Sequence, residues 1–431
     1  MLTVSQVASS SPSRWSEAEE ALARMSKDLN EAAEGLYDRA GGALKEAFWS
    51  DAHGDRARVR LSELAASYTT TAMLLRAACS LLSGLDLSLG TCRNRLLRLL
   101  SQTNSYGLPV TEDGYVDLWV GTSVPHSPDF LATIRSIEIE IKDILADATR
   151  IDEEAARALW DTRMTQLDIT GDGHIDQSDI ERHQKEGQTL DLSSQATLRE
   201  ILAGMPLNGS KQEQQQWWNS LSVREQQMYM NAVPLEVAGM KGLPDEVRRQ
   251  LSGPAELGYD KLKLLQYAQD HWNYKDIDTM QNNCTNFVSR GLEYAGLKRK
   301  GGVAILDILD RDSWTHDLWS TIWPNGPWEY VPGVYSHAWG GANAQHDLFV
   351  RHGSQELAQR DVRPGDIVYW SYKNGEEHHA AVVTGVLPNG DVLYTQHSGM
   401  REDQSLTARL PYNHVKEGDQ DIRFVRVKQT W

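Results

Sequence analysis

Cys284 lies in a segment whose residue types suit nucleophilic chemistry. Apolar residues follow it at helical spacing, and a glycine comes where glycine commonly ends a helix: Phe287, Val288, Leu292, Ala295 and Gly296. We therefore expect Cys284 at a helix N-terminus, which favours the reactive thiolate and offers backbone N–H groups to an oxyanion. A buried structural thiol is the alternative, because free cysteines are among the most buried residues.

Two histidines could complete a catalytic group. His379 opens a β-branched run, a turn signal follows at 387–391, and the next run ends at His397. A hairpin in which Gly385 pairs with Asp391 would set His397 directly opposite His379. A slip of one residue would turn His397 to the other face and bring Gln396 beside His379. Cysteine, histidine and a polar orienting residue form the catalytic arrangement of thiol hydrolases.

Several motifs between about Tyr259 and Trp431 together resemble the putative amidase domain family, within the NlpC-type papain-like hydrolases. The motifs start at Asn283, Ser336, Pro364, His379, Gln396 and Phe424 and read NCTNFVS, SHAWGGAN, PGDIVYW, HAAVVTG, QHS and FVRV. The resemblance implies an α+β fold with Cys284 as nucleophile, His379 as base and His397 as third polar member. It implies amide hydrolysis without a cofactor, with cell-wall peptide stems as the first candidate substrate. The family usually has Asp at the position of Asn283, so one negative charge beside the thiol is missing here.

A second motif predicts calcium binding. From Asp168, oxygen-bearing side chains fall at positions 1, 3, 5, 9 and 12 of a twelve-residue loop, with Gly173 at position 6. This is the EF-hand pattern, which also uses the backbone carbonyl of position 7. The expected Ca²⁺ ligands are Asp168, Thr170, Asp172, the His174 carbonyl, Asp176 and Asp179. The loop resembles dockerin-type calcium loops, and an acidic turn between helices is the alternative.

The N-terminal region predicts long helices. One apolar series repeats every seven residues and a second lies between its members: Trp15, Leu22, Leu29 and Leu36, with Ala18, Met25 and Ala32. The pattern indicates an antiparallel hairpin that bends near Trp49, and it resembles the WXG-type substrates of type VII secretion. The resemblance implies export by that route, with a secretion-machinery partner. A helical dimer or scaffold is the alternative.

Composition restricts the function further. The net charge of −17, from 60 acidic and 43 basic residues, argues against binding to nucleic acid. The N-terminus has no signal-peptide pattern, and no run approaches 18 apolar residues, so we expect no membrane span. Cys79 and Cys92 could pair with each other, but core thiols on helices are favoured.

The sequence thus predicts a multidomain chain: an all-α hairpin or bundle with an EF-hand-like insertion, followed by an α+β papain-like hydrolase. The expected domains are a hairpin at 1–120, a helical middle at 121–205 with the loop at 168–179, a connector at 206–256 that packs on the next domain through its tryptophans, and the hydrolase at 257–431. We expect a protein that is cytoplasmic before export and then secreted or attached to the cell wall. A secreted toxin or effector hydrolase and a non-catalytic scaffold are the competing functions.

Overall fold

The computed structural model describes residues 1–41, 49, 51–118, 127–161, 188–274, 283–301, 310–316, 335–372, 375–406 and 420–431. The chain divides into two compact units, Met1–Met228 and Tyr229–Trp431. The predicted hairpin and helical middle lie in the first unit and the hydrolase region lies in the second. Each unit is described by itself.

The described part of the N-terminal unit is helical. Its helices are α1 (Val4–Ser9), α2 (Pro12–Gly41), α3 (Ala52–Ser105), α4 (Pro128–Asp161), α5 (Gln188–Ala203), α6 (Lys211–Ser220) and the first part of α7 (Val223–Ala232). A helical N-terminal region followed by an α+β region was predicted from the sequence, and this coarse architecture is confirmed.

Helices α2 and α3 form an antiparallel hairpin. The Ser26 hydroxyl of α2 donates to the Ala72 carbonyl of α3 at 2.8 Å, and the Cys79 thiol of α3 donates to the Glu19 carbonyl of α2 at 3.4 Å. The earlier residue of α2 therefore contacts the later residue of α3, so the two helices are antiparallel. Asp51 caps α3 by accepting from the His53 and Gly54 backbone N–H groups. Trp49 lies in the connection between the helices, as predicted.

The predicted seam of α2 is wrong at its intermediate positions. Ser26 and Ala33 are buried, whereas Met25 is 53% exposed and Ala32 is also exposed. The second buried series therefore lies four residues after the first rather than three. Either offset keeps two residues on one helical face, so the sequence pattern alone does not separate them.

The core of this unit lies between α3 and α4. In α4 the apolar residues that recur at helical spacing are all buried: Ile134, Ile137, Ile141, Ile144, Ala148 and Ile151. Helix α5 approaches α3 closely at Gly84, where an added Cβ would come within 2.7 Å of the Glu200 Oε2 atom.

By length and hydropathy, the described stretch Ser67–Ser105 of α3 could cross a membrane. Core helices pass the same test, and 53% of its apolar window is buried in this unit.

Cys79 and Cys92 are core thiols of α3, as favoured from the sequence. They are 13 residues apart on one helix, a separation of about 20 Å at ~1.5 Å per residue. That exceeds the reach of a disulfide. Burial raises the pKa of Cys79 to about 11 and that of Cys92 to about 12.

The predicted connector is helical and is divided between the units. Trp217 and Trp218 of α6 are buried, with exposures of 1% and 4%, and their rings touch at 6.0 Å between centroids. Both tryptophans belong to the N-terminal unit. The expectation that they pack on the domain after the connector stays a prediction. The predicted calcium loop, 168–179, lies outside the described residues.

The C-terminal unit combines helices with one antiparallel sheet. After α7, its helices are α8 (Pro234–Gly239), α9 (Asp245–Ser252), α10 (Lys261–His271), α11 (Cys284–Tyr294), α12 (His337–Gly340) and α13 (Ala342–Arg351). Its strands are β1 (Gln355–Leu357), β2 (Ile367–Tyr372), β3 (Glu377–Val386), β4 (Val392–Gln396), β5 (Arg401–Ser405) and β6 (Gln420–Arg426). The strand order is β1-β6-β2-β3-β4-β5.

The central strands β2, β3 and β4 are buried on both faces. One face packs with α10, α11 and α13, and includes Tyr369, Ala380 and Val382. The other face holds a second apolar cluster that includes Trp370 and Tyr394. Every residue of β4 is buried, so this strand has no polar side to mark its outer face.

Candidate active site

Cys284 is the first residue of α11, and the predicted helix start is confirmed. The side chain of the N-cap residue, Asn283, makes no capping hydrogen bond to the first turn. Instead its Oδ1 accepts from the Asn286 Nδ2 at 3.1 Å. The N-cap side chain therefore leaves the first-turn N–H groups available to an anion. Cys284 is 2% exposed, and its Sγ lies 3.7 Å from the Thr285 Oγ1.

A buried hydrogen-bond network holds α11 against the sheet side of the unit. The Ser289 hydroxyl donates to the Trp339 carbonyl at 2.9 Å and accepts from the Gln345 Nε2 at 2.7 Å. The Gln345 Oε1 accepts from the Tyr369 hydroxyl of β2 at 2.8 Å. Burial, followed by the charge of Glu377, raises the Tyr369 pKa well above its usual value. The phenol therefore stays neutral and can donate, so the network fixes α11 relative to β2.

His379, the third residue of β3, contacts Gln396, the last residue of β4. The His379 Nε2 lies 2.8 Å from the Gln396 Oε1, and the Gln396 Nε2 donates to the Ser398 carbonyl at 2.8 Å. Only the NH₂ group of glutamine can donate to a carbonyl, which assigns Oε1 to the histidine. The His379 Nε2 must then carry the proton. The Nδ1 atom is left as the basic nitrogen of this imidazole.

The predicted register of the hairpin is wrong. Gly385 pairs with Leu393 instead of Asp391, and an irregularity after Val383 leaves Val382 opposite Thr395. One step further, this register sets Gln396 across from position 381, on the face that also carries His379. His397 is therefore not the residue opposite His379, and the one-residue slip considered from the sequence is the arrangement found.

His397 lies in the turn after β4 and contacts α11. Its Nδ1 lies 2.9 Å from the Trp272 carbonyl, which accepts the ring proton. Its ring is nearly parallel to the Phe287 ring, at 5.8 Å between centroids. His397 is 2% exposed. These contacts suit a residue that fixes the position of α11 one turn after Cys284.

Ser398 joins the predicted site residues. Its hydroxyl accepts from the Asn283 backbone N–H at 3.2 Å, directly before Cys284. Its carbonyl accepts from the Gln396 amide that contacts His379. The start of α11 and the histidine–glutamine pair therefore both contact Ser398.

Among the described residues, no hydrogen bond joins the Cys284 thiol to His379. The His379 ring lies on the same sheet face as the Trp370 ring, at 5.0 Å between centroids. Catalytic hydrogen bonds are often long before substrate binds.

Sequence reasoning missed a buried ion cluster that fixes the start of β2. The Asp366 carboxylate is fully buried and accepts from the Lys261 Nζ at 2.7 Å and from the Arg426 Nε and Nη2 at 3.0 and 2.8 Å. Burial lowers the Lys261 pKa, although Asp366 opposes that change. The Pro-Gly-Asp motif before a strand was the available signal, but it did not identify the two cationic partners.

A second missed cluster fixes the start of β3. The two ring nitrogens of His346 lie 3.2 Å from the Glu356 Oε1 and 3.3 Å from the Glu377 Oε1. Arg423 donates to the same Glu377 carboxylate at 2.8 Å. Glu377 is two residues before His379, so this cluster positions the strand that carries the imidazole. No sequence motif pointed to it.

The predicted metal ligands cannot be placed. Asp168, Thr170, Asp172, His174, Asp176 and Asp179 all lie outside the described residues. Within the described ranges, no group of three or more His, Cys, Asp or Glu side chains has an arrangement that could hold a metal ion. The calcium site therefore stays a prediction.

Residues 258–424 match a family model described as "Putative amidase domain". Comparison with curated proteins and with solved structures gives no match. The matched segment contains Cys284, His379, Gln396 and His397. The C-terminal segment is therefore similar to an amidase-type domain, which indicates a hydrolase that acts on amides.

Proposed function

We propose that the C-terminal unit hydrolyses an amide bond through an acyl-enzyme formed on Cys284. The observation that carries the proposal is the polar chain from the start of α11 through Ser398 and Gln396 to His379. A thiol at a helix N-terminus and a histidine whose tautomer is fixed by an amide are the parts that thiol hydrolysis needs.

The proposed reaction has two steps. The His379 Nδ1 takes the thiol proton, and the Cys284 thiolate attacks the carbonyl carbon of the amide. The oxyanion that forms accepts hydrogen bonds from the first-turn N–H groups of α11, including that of Cys284. His379 then gives its proton to the leaving amine. In the second step a water molecule, deprotonated by the same nitrogen, releases the carboxylic acid and the free thiol.

Gln396 takes the orienting role in this proposal, in place of His397. Gln396 holds the Nε2 proton of His379, so that Nδ1 remains basic, and the third residue of a catalytic triad acts in this way. His397 supports the site instead through Phe287 and the Trp272 carbonyl. The neutral Asn283 keeps a negative charge away from the thiolate.

Cell-wall peptides are the substrate class we propose first. The N-terminal α2–α3 hairpin supports export of a type VII kind, which would bring the hydrolase to the wall after synthesis in the cytoplasm. Export and substrate are both independent of the thiol chemistry, so each needs its own test.

The test compares variants of the full chain on purified cell walls, with wall turbidity and released amino groups as readouts. Cys284→Ala should abolish hydrolysis. Gln396→Ala should lower kcat by about 5- to 160-fold, because a buried N–H that loses its acceptor costs about 1–3 kcal/mol. His397→Ala should change kcat less while lowering the melting temperature. Hydrolysis that survives Cys284→Ala contradicts the mechanism. Toxicity to other cells without wall hydrolysis would favour the effector function, and wall binding without hydrolysis would favour the scaffold.

A further inference from the structure

Two irregularities of the sheet flank the residue directly before Gln396. Within the described sheet, the pairing of β3 with β4 skips Thr384. On β5, Glu402 and Asp403 together lie opposite Thr395 of β4. An extra residue in one strand of an antiparallel pair is a β-bulge, and bulges are common beside active sites, where they redirect a side chain. Both bulges therefore adjoin Thr395, one residue before Gln396.

The bulge on β3 decides which residue shares a sheet face with His379. If the pairing at the turn end of the hairpin continued unbroken, His397 would lie opposite Ala381. The bulge shifts β4 by one residue, so Gln396 lies opposite Ala381 instead. Ala381 is two residues after His379 and on the same face of β3. The skipped residue, Thr384, therefore exchanges His397 for Gln396.

Asp403 of β5 has a backbone conformation that needs support from its surroundings. Its φ angle is +47°, in the left-handed region that residues other than glycine rarely adopt. Aspartate tolerates this region better than most residues, because its short side chain can form local hydrogen bonds. Among the described non-glycine residues, only Met400, in the turn between β4 and β5, also has a positive φ. Such conformations persist where neighbouring contacts fix them, and they are concentrated at functional sites.

A closed ring of three hydrogen bonds joins the two bulges. The Asp403 backbone N–H donates to the Thr395 Oγ1 at 3.0 Å. The Thr384 hydroxyl donates to the Asp403 carboxylate, and this hydrogen bond opposes the rise in the Asp403 pKa that burial causes. A hydroxyl has one proton, so Thr395 is the donor across the 3.3 Å between the two threonine Oγ1 atoms. Each residue of the ring thus both donates and accepts, and Thr395 is 1% exposed.

We propose that Asp403 is a positioning residue for the contact between His379 and Gln396. Its carboxylate and its backbone N–H hold the two threonines, so that the register that presents Gln396 is favoured over the register that presents His397. The expected effect on rate rests on the hydrolase function proposed above. The expected effect on the His379 ring does not depend on that function.

Nitrogen NMR of the full chain, prepared with ¹⁵N-labelled histidine, tests this proposal because it reports which ring nitrogen of His379 carries the proton. Spectra at about pH 8, above the usual histidine pKa of about 6.5, report the neutral ring. His379→Gln identifies the signals, and Gln396→Ala gives the signals of a ring without its acceptor. Asp403→Gly adopts a positive φ without strain but removes the carboxylate, and Thr384→Val removes the donor. Both should shift the His379 signals from the wild-type pattern toward that of Gln396→Ala.

The rate of hydrolysis and a conservative variant provide the second comparison. On purified cell walls, Asp403→Gly and Thr384→Val should each lower the rate about fivefold or more, because the buried N–H of His379 loses its acceptor. Asp403→Asn tolerates the same backbone conformation and keeps an oxygen acceptor, so it should restore the wild-type ring signals. Thr430→Val, the matched control, removes an exposed hydroxyl that donates to the His352 carbonyl and should leave the ring signals unchanged.

The ring signals decide the outcome. Wild-type signals in either folded variant, Asp403→Gly or Thr384→Val, would overturn the proposal, and the ring of hydrogen bonds would then only stabilise β5. If circular dichroism shows that one of these variants does not fold, the other one decides. Identical His379 signals in Gln396→Ala and in wild type would overturn the proposal as well. Shifted signals in a protein that hydrolyses no cell wall would support the positioning role of Asp403 while contradicting the proposed hydrolysis.

Discussion

Glu200 on α5 provides a test of the N-terminal fold that depends on pH. Its side chain is fully buried, and neither carboxylate oxygen has a hydrogen-bond partner among the described residues. Burial, followed by the charge of Glu154, raises the Glu200 pKa from 4.5 to about 9, and Arg199 opposes the change. The folded chain therefore keeps this proton at neutral pH, whereas the unfolded chain loses it.

The sign and size of the effect follow from linkage. Between pH 4.5 and 9 the folded state binds more protons at Glu200 than the unfolded state, so the contribution of this group to stability falls as pH rises. Each pH unit in that range changes the free energy of unfolding by about 1.36 kcal/mol. From pH 5 to pH 7 the wild-type chain should therefore lose about 2–3 kcal/mol relative to Glu200→Gln, which has no titrating group there.

Denaturant unfolding at pH 5, 6 and 7, followed by circular dichroism at 222 nm, measures this difference, because most of the described helix lies in the N-terminal unit. Burial of the amide in Glu200→Gln can change the free energy of unfolding by the same amount at every pH. The decisive quantity is therefore the slope with pH of the difference in unfolding free energy between wild type and variant. Glu153→Gln, on the exposed face of α4, should show no such slope. A wild-type-minus-Glu200→Gln difference that is flat from pH 5 to 7 would refute the argument.

Three further predictions concern the thiol, the ion cluster and the calcium loop. Iodoacetamide at pH 7 should alkylate Cys284 faster than the two thiols of α3, whose pKa values burial raises to about 11 and 12; equal labelling in mass spectrometry would contradict the nucleophile assignment. Asp366→Ala should destabilise the C-terminal unit by about 3–5 kcal/mol, because it leaves Lys261 buried without its carboxylate; a change below about 1 kcal/mol in chemical denaturation would show that the cluster relaxes. Calcium at a hundredfold excess over Kd should stabilise the full chain by about 2.7 kcal/mol, and Asp168→Ala should remove the accompanying rise in melting temperature. An identical melting temperature in calcium and in EDTA would make the loop a plain turn.

Local sequence patterns determined the elements of this protein well. The start of α11 at Cys284, the buried stripe of α4 and the turn at 387–391 all follow from helical spacing, apolar periodicity and turn residues, which act over a few neighbouring positions. The two long antiparallel helices α2 and α3 follow for the same reason. The amidase-type motifs could also be recognised from the sequence alone, because each of them is a short run of neighbouring residues.

Tertiary structure decided which polar residue meets His379. Every residue of β4 is buried, so the strand has no polar face that would fix its register, and a shift of one residue exchanges His397 for Gln396. The irregularity between Val383 and Gly385 sets the register of the hairpin, and no residue pattern indicated it.

The burial and pairing of the charged groups in the interior could not be predicted from the sequence either. Asp366 binds two cations from distant parts of the chain. The Glu200 oxygens have no hydrogen-bond partner among the described residues, and Arg95 lines a cavity together with residues of α4 and α6. Whether a charged residue is solvated, paired or buried alone depends on how those segments pack, and the residue type by itself carries no record of its neighbours.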